Sequence, residues 1–415
     1  MPRGIADIPS LRLEVLQAFV TKFTIDPLLI LMNLFSSSNS PSDAIEWESQ
    51  EGSRGMTPFV PPGAPAPRTA PLGVAQHSAK AAYWKEKMYY DEEFLNNLRK
   101  EGTEATYLDA ATRLARDLAQ LVNRSNRRKE WMFAQMLFAG TFSYSVRDGV
   151  KATVDYSIRS DHSVTLSAAD QWDDGSQRDI LGDIIDGKKK ISDDCGGKIT
   201  HAICNSTVLK YIARDPDLLT LLQKSTFGQG DLFSGAKNSI VGVNPNVLGS
   251  LLDISNFVIY DEKYEVRAYL TGAVTADTTT SISVEDASDF EVGGTLKFID
   301  SSADTWEEET IASIDVQAGT VTVSAAPSTS YKSGEDYVTM IRSFAPDDKF
   351  LMFASSVENQ SIAEYKAAPF GLGRHYGNFT DSWENKDPEG VFIRSQDKGL
   401  PVLYQRDAMY ILDVA

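Results

Sequence analysis

The sequence predicts an α+β fold interrupted by a small all-β insertion. Three observations lead there. From Glu104 to Ala139 the chain has neither proline nor glycine and repeats apolar residues at helical spacing. From Thr141 to Thr271, period-two and helical patterns alternate, as they do in mixed α and β structure. Between Ala273 and Val338 the composition shifts to Thr, Ser and Val, with no arginine, and the pattern becomes strand-like throughout.

In chain order, residues 8–22, "IPSLRLEVLQAFVTK", set Leu11, Leu13, Val15, Leu16, Phe19 and Val20 at mostly helical spacing, and "SSSNSPSD" breaks the pattern. This predicts a helical arm ending in a joint. Six prolines then fall between Pro58 and Pro71 in "TPFVPPGAPAPRTAP". Proline removes donors and fixes φ, so an exposed extended loop is expected there. The flanks, "AIEWESQE" and "HSAKAAYWKEKMYY", are expected to pair as a two-stranded ribbon.

Leu108, Ala111, Leu114, Leu118, Leu121, Ser125, Trp131 or Met132, and Met136 recur three to four residues apart on the long helix. At 1.5 Å per residue it spans about 50 Å, with Gly140 as its C-cap. A hairpin follows in "TFSYSVRDGVKATVDYSI", turning at "RDG". A helix is expected at 180–191, a strand at 199–204, and a second helix capped by Asn205 or Ser206. Residues 222–250 carry no clear period and read as a loop.

The insertion, 273–338, holds 13 acidic residues against Lys297 and Lys332, which is −11 of the chain's −18. Its expected core is Ile282, Val284, Phe290, Val292, Leu296, Phe298, Ile311, Ile314, Val321 and Val323. So acidic a segment suits an outer solvated face and would repel packed DNA. The body resumes with "DYVTMI" and "KFLMFA".

At 415 residues and 42% hydrophobic content the chain can bury a large core. The N-terminus does not read as a signal peptide, so synthesis should finish in a cytoplasm. "IDPLLILMNLF" contains Pro27 and is too short to span a membrane. Cys195, Cys204 and His201 supply three of the four ligands of a structural zinc site, and "KITHAIC" reads better as a strand with buried thiols. His77, His162, His201 and His375 are widely separated in the sequence. No nucleophile elbow, zincin or Walker pattern occurs. "GQGDLFSG" and "GLGRHYG" lack the context of a phosphate loop, and "DQWDDGSQRD" lacks calcium-loop spacing. No catalytic residue, cofactor or metal is expected.

Arg124, Arg127, Arg128 and Lys129 cluster before the apolar run "WMFAQMLF". They could meet phosphates. The reading favoured by the acidic total is a solvated helix face paired with Glu130 or with the "EWESQE" strand.

The order of elements resembles the lambda-like major capsid protein E family of tailed bacteriophages, which has the Hong Kong 97-type shell fold. "FTIDPLLILMNLF", the proline-tipped loop, "NRRKEWMFAQMLFAGTFSY" and "KDPEGVFIRSQDKGLPVLYQRDAMYILDV" carry the resemblance, which covers nearly everything but the acidic insertion. It implies an N-terminal arm at 1–42, an extended loop at 43–90, and a spine helix with peripheral domain at 91–177. It further implies an axial domain at 178–271 and 339–375, the insertion at 272–338, and a return to the peripheral domain at 376–415. Met132, Phe133, Met136 and Leu137 would pack on the peripheral sheet. Arg124, Arg127, Arg128, Glu46, Glu48, Pro61, Pro62, Leu28 and Leu29 would contact neighbouring subunits.

The implied function is a major capsid protein forming hexamers and pentamers of an icosahedral shell around double-stranded DNA. Scaffolding, portal and decoration proteins would be its partners, the DNA would be touched without sequence preference, and no membrane is involved. Assembly is expected in the host cytoplasm and the product in the virion. A tail or baseplate protein and a soluble enzyme are the competing classes.

Overall fold

A computed structural model describes residues 28–50, 56–68, 73–91, 104–147, 150–173, 177–224, 232, 244–302, 305–387 and 389–415. The helix expected at 8–22, the Asp148–Gly149 turn and most of the 222–250 loop lie outside them. The chain divides into two compact units: one formed by residues up to Tyr260 and from Ala345 onward, the other by Asp261–Phe344.

In the first unit the long helix runs Glu104–Ala134 and ends in a π-turn, Gln135–Ala139. Gly140 stops it at φ 69°, in the left-handed region, and a Cβ there would strike Ile158. Leu114, Leu118 and Leu121 form its buried stripe against Tyr90, Val391 and Ile393. Further on, Trp131 to Ala134 and Met136 to Phe138 are all buried, whereas Gln135 is half-buried and Ala139 exposed. The hairpin pairs Thr141–Arg147 with Val150–Asp155, and Phe142 opposes Val154.

The helix packs on a sheet whose central strand is Glu389–Leu403. Phe379–Lys386, Ala82–Asp91 and Ala363–Ala367 all pair with that strand, and Ser36–Asn39 adds in parallel to Ala363–Ala367. A second sheet has the order Ser163–Thr165, Met409–Asp413, Lys349–Phe353, His201–Cys204, Asn256–Ile259.

This pairing redraws the expected boundaries. Ala363–Ala367 belongs with the long helix's sheet, whereas Met409–Asp413 crosses into the second sheet instead of returning to the first. A chain-order boundary at 375 cannot express such a crossing. The helix expected at 180–191 extends to Cys195, capped by Asp179. Asn205 caps Ser206–Ala213 by accepting from the Thr207 and Val208 amides at 3.0 Å each. Pro216–Lys224 and Pro245–Leu251 are also helical, and the second of these lies where only a loop was expected.

The second unit is a six-stranded antiparallel sheet in the order Lys263–Tyr269, Tyr337–Ser343, Thr295–Asp300, Thr305–Asp315, Thr320–Val323, Ser281–Ser283. Hydrogen bonds from Thr271 to Ser283 and from Glu285 to Tyr269 join its first and last strands. Its limits are wider than 272–338. Arg267 and Arg342 sit on its first and second strands, so the absence of arginine was too strict a marker of this unit. "DYVTMI" belongs to the sheet and not to the body. The expected core is buried apart from half-buried Ile314 and Val292, which is 58% exposed in the turn before Gly293.

Candidate assembly surfaces

Glu130 stands where the basic cluster meets the apolar run, and it is fully buried. An unpartnered carboxylate would be costly there. Its Oε1 accepts from the Leu31 amide at 2.8 Å and from the Tyr260 hydroxyl at 2.5 Å, and its Oε2 accepts from the Met32 amide at 2.8 Å. The side chain therefore caps the first turn of Leu31–Leu34 from nearly a hundred positions away. Burial raises its pKa, and the donated hydrogen bonds from Tyr260 and the arm amides pull the other way without cancelling it.

Apolar packing finishes the joint. Leu29 and Leu31 are buried, and Phe35 stacks on Phe133 at 5.5 Å and leans on Phe353 at 6.0 Å. Leu28 is 56% exposed. Of the two arm leucines expected at a subunit contact, Leu29 has its surface covered by its own chain, which leaves Leu28 accessible.

The basic cluster finds partners other than those expected. Arg124 Nε lies 2.7 Å from Glu86 Oε2, both partly exposed, and a pair of this kind contributes about 0–1 kcal/mol. The Arg128 guanidinium sits 5.0 Å from the Trp131 ring centre. Arg127 is exposed. Lys129 turns inward: its Nζ is 2.5 Å from Asp397 Oδ2, which is wholly buried, and 5.1 Å from the Tyr365 ring centre. Gly399 lets the Tyr365 hydroxyl lie against the backbone, because a Cβ there would collide with it. Glu130 takes no part in the cluster because the arm occupies both its oxygens, and across the ribbon Glu48 instead accepts from Gln76. Sequence reasoning missed both Glu130 as a clamp and Asp397. Only Glu130 left a signal, as an acid opening a run of large apolar residues.

The expected ribbon is present in part: Ala44–Gln50 pairs with Val74–Lys80 in antiparallel register, whereas "AAYWKEKMYY", expected in the ribbon, pairs from Ala82 to Asp91 with Glu389–Leu403 in the body. Ile45, Trp47 and Ser49 turn to the buried side and Glu46 and Glu48 to the exposed side, the alternation of a half-buried strand. Trp47 stacks on His77 at 5.3 Å, and Ser49 Oγ lies 2.9 Å from His77 Nε2. Glu48 accepts from Gln76 at 3.3 Å across the ribbon. The Gln50 amide donates to the Tyr404 carbonyl, and Lys398 pairs with Asp43 at the base. The root is therefore fixed to the body, whereas Met56–Arg68, including Pro61 and Pro62, is exposed throughout, with Phe59 at 103%.

The histidines and cysteines have structural surroundings. His162 is buried, its Nδ1 2.8 Å from the Met409 carbonyl and its Nε2 2.8 Å from Asp194. Lys190 bridges Asp194 and Asp161, and Arg159 pairs with Asp161. The Lys190 hydrogen bond, aided by Arg159, holds the Asp161 carboxyl at about 2. Burial alone would raise Asp194, but hydrogen bonds from His162 and Lys190 outweigh it and lower its pKa. His201 lies flat on Phe353 at 5.0 Å, and Cys195 and Cys204 are buried and form no disulfide. Among the described residues no group of three or more His, Cys, Asp or Glu could hold a metal, and no helix is long and apolar enough to cross a membrane.

The sequence model of the phage major capsid protein E family matches residues 13–273. The chain belongs to that family. Two solved structures share the fold of this family member across nearly its full length. A protein described as a candidate capsid protein of a prophage in Escherichia coli CFT073 superposes with a TM-score of 0.51 at 12% identity, covering 98% of this chain and 99% of its own. A phage-related protein from Bordetella bronchiseptica RB50 gives 0.50 at 12% identity, covering 97% of each. No curated protein matches in sequence. As a phage major capsid protein E with the Hong Kong 97-type fold, the chain is a structural component of the virion shell.

Proposed function

We propose that the subunits form hexamers and pentamers of an icosahedral shell around double-stranded DNA, using the ribbon tip and the chain before Leu28 as intersubunit contacts. The observation that carries this reading is the contrast along the ribbon. Its root is hydrogen-bonded to the body and carries buried Trp47 stacked on His77, yet its tip exposes Met56, Phe59 and Val60 among prolines. Apolar side chains held on a stiff, proline-rich tip suit burial on another chain, because little ordering entropy is lost on docking.

The reading gives no role to catalysis. Scaffolding, portal and decoration proteins fit as further partners and the host cytoplasm as the place of assembly. Arg124, Arg127 and Arg128 fit a subunit contact better than a DNA site, since Arg124 and Arg128 already engage Glu86 and Trp131. The acidic unit fits the outer surface, where its charge does not face DNA within a Debye length of about 10 Å.

Replacing 56–68 with a short Gly/Ser turn tests the proposal. The variant should fold with an unchanged circular dichroism spectrum and fail to close shells under the electron microscope. Shells of normal diameter from it would remove the tip from the assembly mechanism.

A further inference from the structure

The 261–344 unit carries a surface feature apart from the contacts proposed above for shell assembly. Register places Tyr269 beside Tyr337, Tyr337 beside Ile299, and Ile299 beside Trp306, one large side chain from each of four adjacent strands. Core residues such as Ala268, Val338 and Phe298 occupy alternating positions on these strands, so the row lies on the opposite face. Tyr269 is 43% exposed and Trp306 58%. At about 4.8 Å per strand the row is about 14 Å long and one side chain wide.

Two cations fix the rings. The Arg267 guanidinium lies 3.5 Å from the Tyr337 ring centre and 5.5 Å from that of Tyr269, and Lys297 Nζ lies 3.9 Å from that of Trp306. Cations at these distances are attracted to the ring quadrupole and restrain ring orientation. Each lies over one face of its ring and so sets hydrogen-bond donors within the apolar strip.

We propose that this row binds a short stretch of an uncharged polysaccharide. A pyranose ring presents a face of C–H groups that stacks on an aromatic ring, and hydroxyls at its rim that accept from a guanidinium or ammonium. A line of rings with donors among them matches a linear chain of such units. Area argues against a protein partner: judged from typical aromatic areas, the row exposes roughly 300 Å², against about 800 Å² per partner in a stable protein interface. Charge argues against the other stacking ligand, single-stranded nucleic acid, which needs an electropositive groove. This unit holds sixteen acidic residues and five basic ones, net −11. The same charge disfavours an acidic saccharide.

The test uses the full-length protein in its assembled form. Cellohexaose, maltohexaose, laminarihexaose and mannohexaose are titrated by calorimetry, with hexagalacturonate as the acidic probe. Saturable binding of at least one neutral probe is expected. It should weaken about tenfold in Trp306→Ala, the scale of one lost stacking partner, and also fall in Tyr269→Ala. It should be unchanged in Val292→Ala, which is exposed but off the row. Circular dichroism of each variant separates loss of the site from loss of the fold. The proposal is overturned if no neutral probe binds at millimolar concentration, if binding survives both row variants, or if hexagalacturonate binds more tightly. Association between copies that disappears in Trp306→Ala would overturn it in favour of a protein contact.

Discussion

The Glu130 carboxylate accepts the Leu31 amide at 2.8 Å, joining the root of the N-terminal arm to the long helix of its own subunit. The second oxygen takes Met32, and Tyr260 completes the clamp. Glu130→Ala leaves two buried donors and the part-buried Met32 amide without their acceptor, at about 1–3 kcal/mol for each buried one before relaxation. A loss of roughly 3–5 kcal/mol is expected in chemical denaturation, and Glu130→Gln should lose less because one amide oxygen still accepts. Equal stability of wild type and Glu130→Ala would show that the clamp contributes nothing.

The same residue sets a pH dependence. Burial raises its pKa above 4.5, so the folded chain keeps a proton that the unfolded chain releases. The contribution is therefore full below 4.5 and is lost as pH rises through the raised value. In Glu130→Gln this downward slope should vanish from stability measured against pH.

Asp161 gives the opposite sign. Its folded pKa is about 2 against 3.8 ordinarily, so its stabilisation is present above 3.8 and lost as pH falls toward 2. Asp161→Asn should be less sensitive to acid between those values. The effect should shrink in high salt because the group is partly exposed.

Much of this architecture was legible in the sequence because it rests on local pattern. The long helix shows as a stretch free of proline and glycine, the ribbon as alternation around a proline tip, and the capsid resemblance as their order. The clamp was not legible, because Glu130 reads as one more charge beside Arg127, Arg128 and Lys129 until the arm is folded onto it. Asp397 likewise looks like a solvated turn residue in "SQDKG", and only strand pairing buries it opposite Lys129. The insertion's edges were missed for a related reason: Arg267 and Arg342 sit on strands of the insertion, although arginine had seemed to mark the body.

The buried Lys129–Asp397 pair should behave as a unit. Lys129→Met or Asp397→Leu alone leaves an uncompensated buried group and should cost about 3–5 kcal/mol. The double variant Lys129→Met/Asp397→Leu should recover much of that. Strict additivity in the double-mutant cycle would show that the two side chains do not interact.

Boundaries of the acidic unit can be tested by two deletions. Joining Tyr260 to Ala345 through a Gly/Ser linker removes a complete sheet and should leave a body that still assembles. Joining Thr271 to Thr339 strips Lys263–Tyr269 and the remaining end of its partner strand from the rest of their sheet, and should give poorly soluble protein. Equal behaviour of the two deletions would contradict the 261–344 boundary.

Cryo-electron microscopy of shells assembled from the full-length chain tests the account most directly. The account predicts that residues 28–39 rest on the Glu130 helix of their own subunit while the tip bearing Met56, Phe59 and Val60 is buried on a neighbour. Shells in which that tip touches no other subunit, or in which Leu29 and Leu31 dock on a neighbour's helix, would contradict it.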